Sequence, residues 1–556
     1  MYSSGIRIAG MEMKKFDRYR HLLLCLVTAF AITACGGGGG GSSSPPPPPP
    51  VSQAPEEEES NTEQPETEDP EDTSFSAPFL PYTTFEQRCE NPRSGLDSAG
   101  RAFPDIQGEV ADENNWIRAW SHELYLWYDE IIDVDPESLP TPEYFEKMKT
   151  PETTASGAPK DKFHFTLPTD EWIQISQAGV SAGYGATFAI LSSSPPRQVV
   201  VAYTQPNSPA TAPETNLRRG DTILEIDGVS MIDGSDLDTL NNGLFPGNGE
   251  THSFVIENLD GTQREITMTS GPITETPVQN VSILETNNGL VGYMTFNDHI
   301  ATSEALLINA MEQFRDANIS DLILDLRYNG GGFLDIASEL GYMIAGPQAA
   351  TGRVFENLQF SDKHPDFNPV TGEQLVDRPF KTTTQGFSVN PGSPLPTINL
   401  PRLFVLTGPR TCSASESLMN GLRGIDIEII QIGNTTCGKP YGFYPFDNCG
   451  TTYFSIQFGG VNEKGFGEYS DGFSPANITQ PEGVELPGCL VSDDFTRQLG
   501  DPLEGMTRAA LQYREDTSCP LTTARLKPAA RVGWQNLGKA NADVAKFVNG
   551  KWVAQP

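Results

Sequence analysis

The stretch Thr411-Cys412-Ser413-Ala414-Ser415-Glu416-Ser417 follows the apolar run Leu403-Phe404-Val405-Leu406 and the turn residues Thr407-Gly408-Pro409. The run predicts a buried strand, and Leu418, Met419 and Leu422 then recur at helical spacing. Ser413 therefore stands where a strand gives way to a helix. The backbone N–H groups around Ser413 and Ala414 are first-turn donors with no intrahelical acceptor, able to hold an oxyanion.

A serine hydroxyl needs a base. Lys439, in Gly438-Lys439-Pro440, is the only lysine between Lys381 and Lys464, and it follows a second strand-like run, Ile427 to Gly433, that returns it beside the first. Deprotonating an exposed lysine at pH 7 costs roughly 4.6 kcal/mol. Lys439 serves as a base only if burial removes most of that cost. A third run, Asp321 to Gly332, reads as a central strand ending in Asn329-Gly330-Gly331-Gly332, a loop in which backbone approaches something closely. Helical spacing resumes at Leu334, Ala337, Leu340 and Ile344.

Taken together, Ser413-Ala414-Ser415-Glu416, Gly438-Lys439 and the Asp321 strand with its glycines resemble peptidase family S41, the C-terminal processing or tail-specific protease group. The resemblance covers about residues 110 to 515, with the motifs in family order. It implies a multidomain α/β protein with a mixed-sheet core of the ClpP/crotonase type. It also implies that Ser413 is the nucleophile, Lys439 the general base, and the N–H groups of Gly331 and Ala414 the oxyanion hole, with one residue of latitude among Gly330, Gly331 and Gly332. No metal or cofactor is required. No C-x-x-C occurs and the histidines are scattered, so no metal-ligand pattern is present.

The chain has 556 residues and a net charge of −36, which argues against a nucleic-acid partner. Residues 1–34 read as an export signal: Lys14, Lys15, Arg18 and Arg20 precede an apolar run, Leu22 to Ile32, too short to span a bilayer. Ile32-Thr33-Ala34-Cys35 resembles a bacterial lipobox, with Cys35 as the lipidated residue. That implies a cell-envelope protein facing the periplasm or exterior, with Gly36 suiting the outer membrane. Residues 35–78, rich in Gly, Pro, Ser and Glu, form a tether.

In the expected N-terminal helical region, 79–170, Trp116, Trp120, Leu124, Trp127 and Ile131 mark an amphipathic helix opened by Asp112-Glu113, its stripe more often core than groove. Residues 171–275 read as a β-rich module, with strands at Ala186–Leu191, Gln198–Tyr203, Thr222–Ile226 and His252–Glu257. Its run Leu217 to Gly228 resembles a PDZ domain, which puts the carboxylate-binding loop at Gly183, Tyr184, Gly185 and Ala186 and implies protein or peptide substrates with accessible C-termini. Gly179 to Gly183 matches G-x-S-x-G, but a strand rather than a helix follows, which rules out Ser181 as a nucleophile. The catalytic core is expected over 276–490. Within it, Ser303 caps a helix, and residues 350–402 form a long excursion beside the cleft. Residues 491–556 hold a helix opened by Asp501-Pro502-Leu503-Glu504 and a basic tail.

Of eight cysteines, Cys89, Cys412, Cys437, Cys449, Cys489 and Cys519 remain once Cys25 and Cys35 are set aside. Export favours disulfides, with Cys489–Cys519 expected and Cys437–Cys449 next. One departure from the family matters. A glutamine four positions after the lysine orients it in many members; here that position is Phe443, with Gln457 a substitute. The departure keeps a second reading open, a catalytically silent PDZ-type peptide-binding adaptor of the cell envelope.

Overall fold

In the computed structural model, residues 75–97, 100–173, 180–478 and 481–520 are described, with the backbone of strands Ala545–Val548 and Lys551–Ala554. The expected signal, Cys35, residues 36–74 of the expected tether and most of the basic tail lie outside the described residues; the tether ends earlier than expected, because the Phe75 N–H donates to Asp133 O at 3.1 Å and Arg118 donates to Ala77 O at 2.7 Å. Among the described residues, no helix is long and apolar enough to cross a membrane.

The apolar runs form a six-stranded sheet in the order Val278–Thr286, Gly289–Phe296, Asp321–Asp325, Arg402–Thr407, Glu428–Gly433, Gly488–Leu490. The first pair is antiparallel and the rest are parallel. Side chains alternate between faces, and both faces of the central strands are covered, which is why Leu322 to Leu324 and Leu403 to Leu406 are continuously apolar. Leu322, Leu324, Leu403 and Val405 pack under helices Ser303–Ala317, Leu334–Ala345 and Ala414–Gly424. Ile323, Phe404 and Leu406 face Met506, Ala509 and Ala510 of helix Gly505–Asp516. Asp325 lies opposite Leu406 in the parallel ladder. The glycine loop and the Ser413 segment consequently leave the sheet side by side.

The β-rich module is an antiparallel sheet in the order Gln263–Thr269, Thr251–Glu257, Thr222–Ile226, Gln198–Thr204, Ala186–Ser192, with helix Leu237–Leu244 packed on it. Ala186–Ser192 is an edge strand. Its alternate residues divide: Phe188 and Ile190 enter the module's own core, while Ala189 faces Tyr328 and Leu499 of the neighbouring core. Strand Gln263–Thr269 has no counterpart among the expected strands, although buried Ile266 and Met268 alternate with exposed Glu265, Thr267 and Thr269 in the pattern of a half-buried strand.

In the N-terminal region, helix Val110–Leu124 carries Trp116 and Trp120 stacked at 5.3 Å, both fully buried core residues. The helix stops before Trp127, which begins a short 3-10 turn and stands edge-on to Tyr441 at 4.8 Å. Two caps also differ from expectation. Ser303 is the first helical residue and its Oγ donates to Asp298 O, and the C-terminal helix is capped by Glu504, which accepts the Thr507 N–H at 2.8 Å.

Cys489 bonds Cys519, but Cys437 does not bond Cys449. Cys437 pairs with Cys412, and Cys449 with Cys89. The Cys437 N–H donates to Thr411 O at 3.0 Å, which holds Cys437 beside Cys412. The hairpin of Phe446–Asn448 and Thr451–Phe454 carries Cys449 away to the N-terminal segment, where Asn448 Oδ1 accepts the Gln87 N–H at 2.8 Å.

Candidate active site

The turn after strand Arg402–Thr407 is built by Thr411, whose Oγ1 accepts the Gly408 N–H and donates to Leu326 O. The Cys412 N–H then donates to Asn329 O at 3.0 Å, fastening this turn to the glycine loop. Ser413 follows with φ 55° and ψ −118°, a conformation that costs a non-glycine residue about 1 to 3 kcal/mol. It is the N-cap of helix Ala414–Gly424 and half-buried, amid buried neighbours. The Ala414 N–H has no acceptor among the described residues.

Glu416, one turn on and fully buried, joins the two motifs. Its Oε2 accepts the backbone N–H of Ser413 at 3.0 Å and of Lys439 at 2.8 Å. Its Oε1 accepts the Thr436 hydroxyl at 2.5 Å and the Gly438 N–H at 2.8 Å. Burial raises the Glu416 carboxyl pKa, while these four donors stabilise the ionised form. Disulfide Cys412–Cys437 crosses the same gap covalently.

Lys439 is 5% exposed, with Nζ 4.0 Å from the Phe443 ring centroid and 5.1 Å from that of Phe163. Burial pulls its pKa from 10.5 down to about 7, against the attraction of Asp161 and then Glu416. Most of the cost of an exposed lysine is thereby removed. Phe443, four positions after the lysine, supplies the apolar wall. Gln457 is not a substitute: its Oε1 accepts the Tyr444 N–H at 3.0 Å and its Nε2 donates to Tyr444 O at 3.3 Å.

The glycine loop lies directly against Ser413. A Cβ on Gly331, at φ 101°, would sit 2.7 Å from Ser413 Cβ and 2.9 Å from Ala414 N. Gly331 itself, however, donates its N–H to Asn329 Oδ1 at 2.9 Å, so in this conformation it is not a free oxyanion donor. The Asn329 amide is oriented by Nδ2 donating to Phe296 O, which makes His299 Nδ1 a second donor to Oδ1, at 3.0 Å. His299 thus touches the loop's support and not the serine. Gly332 is paired with His299 as an isolated parallel bridge, and its own N–H, on the far side of that bridge, has no acceptor among the described residues. Neither Gly330 nor Gly332 has an acceptor for its N–H among the described residues, so both stay within the sequence's one-residue latitude. The excursion reaches this loop, with Phe387 packed 5.0 Å from Phe333; Glu304 anchors it by accepting the N–H groups of Gln385, Gly386, Ser388 and Val389.

In the β-rich module, Gly183, Tyr184, Gly185 and Ala186 lead into the edge strand. Tyr184 is a core residue, and Gly185, at φ 76°, has no room for a Cβ against Ser208. Ser181 lies within strand Val180–Gly183 and donates to Glu275 at 3.0 Å.

Sequence reasoning left Glu416, Asn329, Phe163 and Asp161 without roles. The spacing of Ser413 and Glu416 is that of a capping box, a signal sufficient to find Glu416. Nothing local marks Phe163, whose ring comes within 5.1 Å of Lys439 Nζ, or Asp161 two residues before it; strand Phe165–Pro168, which follows them, pairs with Thr451–Phe454.

Residues 290–443 match the model of Peptidase family S41. A carboxyl-terminal-processing protease of Picosynechococcus sp. is 25% identical over 275 residues, which span 48% of this chain and 56% of that protein. A crystal structure from Bacteroides fragilis, assigned to the S41 proteases, superposes with a TM-score of 0.51 at 22% identity, covering 75% of this chain and 98% of the other. This likeness shows the fold.

Proposed function

We propose, from the match of residues 290–443 to the model of Peptidase family S41, that this chain is a serine endopeptidase that cleaves exported proteins near their C-termini through Ser413 and Lys439. One observation carries the reading: a serine held at positive φ on a helix N-terminus is joined, by the Glu416 carboxylate and by Cys412–Cys437, to a buried lysine whose pKa falls to about 7.

Ser413 Oγ attacks the scissile carbonyl as its proton passes to neutral Lys439 Nζ. The Ala414 N–H and a glycine-loop N–H stabilise the oxyanion. The lysine then protonates the leaving amine, and water, deprotonated by the same nitrogen, releases the acyl group. The edge strand Ala186–Ser192 suits capture of a substrate's C-terminal segment by strand addition, with the 183–186 loop at the carboxylate. A lipid anchor at Cys35 would hold the enzyme in the bacterial cell envelope, at the outer membrane on its periplasmic or outer side.

The test is cleavage of casein by the full chain, by Ser413→Ala and by Lys439→Ala, with product masses read. Loss of cleavage in both variants is the expected result. Three equally inert proteins that bind C-terminal peptides would favour the adaptor instead.

A further inference from the structure

The long excursion folds back on itself at a neck, and two glutamates hold it there. The Thr384 N–H donates to Ser393 O at 2.9 Å and the Gly392 N–H to Thr384 O at 2.8 Å, which closes residues 384–393 into a compact loop. Inside it, the Thr384 hydroxyl donates to Asn390 O at 2.7 Å and accepts the Ser393 N–H at 3.0 Å. Phe387 packs from this loop onto Phe333, the residue after Gly332, with ring centroids 5.0 Å apart. The compact loop therefore rests on the end of the glycine loop.

Glu304, near the start of helix Ser303–Ala317, and Glu339, in helix Leu334–Ala345, are both fully buried. Both carboxylates accept the same Gln385 N–H, each at 2.8 Å. Their oxygens converge on one hydrogen, and two like charges so close in a buried site do not both ionise. Their partners decide which of them keeps a proton. Glu304 accepts three further N–H groups, of Gly386 at 3.0 Å, Ser388 at 2.7 Å and Val389 at 3.0 Å. Burial pushes the Glu304 carboxyl up, but these donors outweigh it and hold the pKa below its ordinary value. Glu339 has only the shared donor, and its Oε2 is buried with no hydrogen-bond partner among the described residues. Burial, and then the charge of Glu304, push its pKa up to about 8.

The other charged groups around Glu339 do not offset that of Glu304. Asp335, one turn earlier on the same helix, adds to it and is itself paired with Arg378 at 3.3 Å and Lys381 at 3.5 Å of the excursion. On the neighbouring helix Ala414–Gly424, Glu416 is turned to Ser413 and Lys439, and Arg423 to the Phe466 and Phe473 rings.

We propose that Glu304 and Glu339 hold one proton between them and that this proton latches the 384–393 loop, with Phe387, onto Phe333 at the end of the glycine loop. With Glu339 neutral, the loop's N–H groups surround a single anion. Once it ionises, a second charge stands beside the first and only the shared N–H answers it. The closed loop keeps the proton up to about pH 8, whereas an opened loop leaves Glu339 solvated, with the ordinary carboxyl pKa of about 4.3. Closure therefore takes up a proton across that window, and its equilibrium constant falls about tenfold per pH unit as pH rises, levelling off above 8. If Lys439 is the base, as proposed above, its pKa of about 7 lies in the same window, so the loop slackens as the amine becomes free.

The test is hydrogen–deuterium exchange of the full chain, read by mass spectrometry from acid to alkaline pH without substrate, so that its outcome is independent of the peptidase reading. Protection of the 385–389 amides, corrected for the intrinsic pH dependence of exchange, is expected to fall about tenfold per unit up to pH 8 and then to level off. In Glu339→Gln, which keeps an acceptor oxygen and does not titrate, the slope is expected to vanish. Flat protection in the wild-type protein, or an unchanged slope in Glu339→Gln, overturns the proposal. If Glu339→Gln does not fold, Glu339→Met, similar in size and uncharged, carries the same test: a lost slope supports the latch and a retained one overturns it.

Discussion

Glu416 accepts the backbone N–H of Lys439 at 2.8 Å through the same oxygen that accepts the N–H of Ser413 at 3.0 Å. One buried carboxylate oxygen therefore sets the spacing of the nucleophile's and the base's main chains. Glu416→Ala leaves three N–H groups and the Thr436 hydroxyl without this acceptor. At about 1 to 3 kcal/mol for each buried orphan, relaxation permitting, the expected loss is about 3 kcal/mol or more, read from the urea midpoint. Glu416→Gln should fare little better, because its NH₂ confronts donors. Casein cleavage by Glu416→Gln at the wild-type rate would show that the carboxylate does not set the dyad.

Lys439 is depressed to about 7 by burial against Phe443 and Phe163. The amine is the active form, so kcat/KM should rise with pH through a midpoint near 7 and fall away below it. Asp161, Glu416 and the lysine share this pocket, so the limb is a property of the group. Phe443→Gln replaces a ring by an amide able to solvate the ammonium, and the midpoint should move to higher pH. The opposite movement, or none, would mean that Phe443 does not set the lysine's environment. The sign for stability also follows. Between about 7 and 10.5 the unfolded chain binds a proton that the folded one does not, so this group makes the fold more stable as pH rises through that window.

The Cys412–Cys437 bond closes a 25-residue separation between the segments carrying Ser413 and Lys439. Chain-entropy arguments give a loop of this size about 3 kcal/mol. The double variant Cys412→Ala with Cys437→Ala should lose up to that much stability. Its kcat should fall further than that of a Cys489→Ala with Cys519→Ala pair, whose bond ties strand Gly488–Leu490 to the segment after the last helix. Equal kcat losses in the two double variants would assign both bonds to stability alone.

The strand, turn and helix around Ser413 were legible because each is local: an apolar run, a Gly-Pro turn, then helical spacing. The parallel ladder beside it was legible for the same reason, since Leu322 to Leu324 and Ile429 to Ile430 are short apolar runs within Asp321–Asp325 and Glu428–Gly433. What escaped was long-range. The antiparallel pairing of Phe165 with Phe454 brings the Phe163 ring to Lys439, and no periodicity links those positions. Cys89–Cys449 escaped likewise, with 360 residues between its ends, and nearness in sequence favoured Cys449 as partner for Cys437. Gly331 lies against Ser413, but its N–H is turned to the Asn329 side chain. That is a side-chain choice no spacing encodes.

Arg219, in the β-rich module, donates to the Tyr328 hydroxyl at 2.7 Å and pairs with Asp493; Arg327 reaches Asp493 at 2.6 Å and Glu504 at 2.9 Å. Arg327 and Tyr328 immediately precede Asn329 and the glycine loop, so this buried network joins the module to the backbone that lies against Ser413. Asp493→Asn leaves two buried guanidinium groups sharing fewer anions, and breaking such a pair typically costs about 3 to 5 kcal/mol. Arg219→Met removes the module's side of the network while Arg327 keeps Asp325, Asp493 and Glu504. If the network positions the glycine loop, Arg219→Met should lower kcat on an unstructured substrate severalfold with a smaller loss of thermal stability than Asp493→Asn. Wild-type kcat in Arg219→Met would confine the module to substrate capture, and the signature would then be a raised KM for substrates that present a C-terminus.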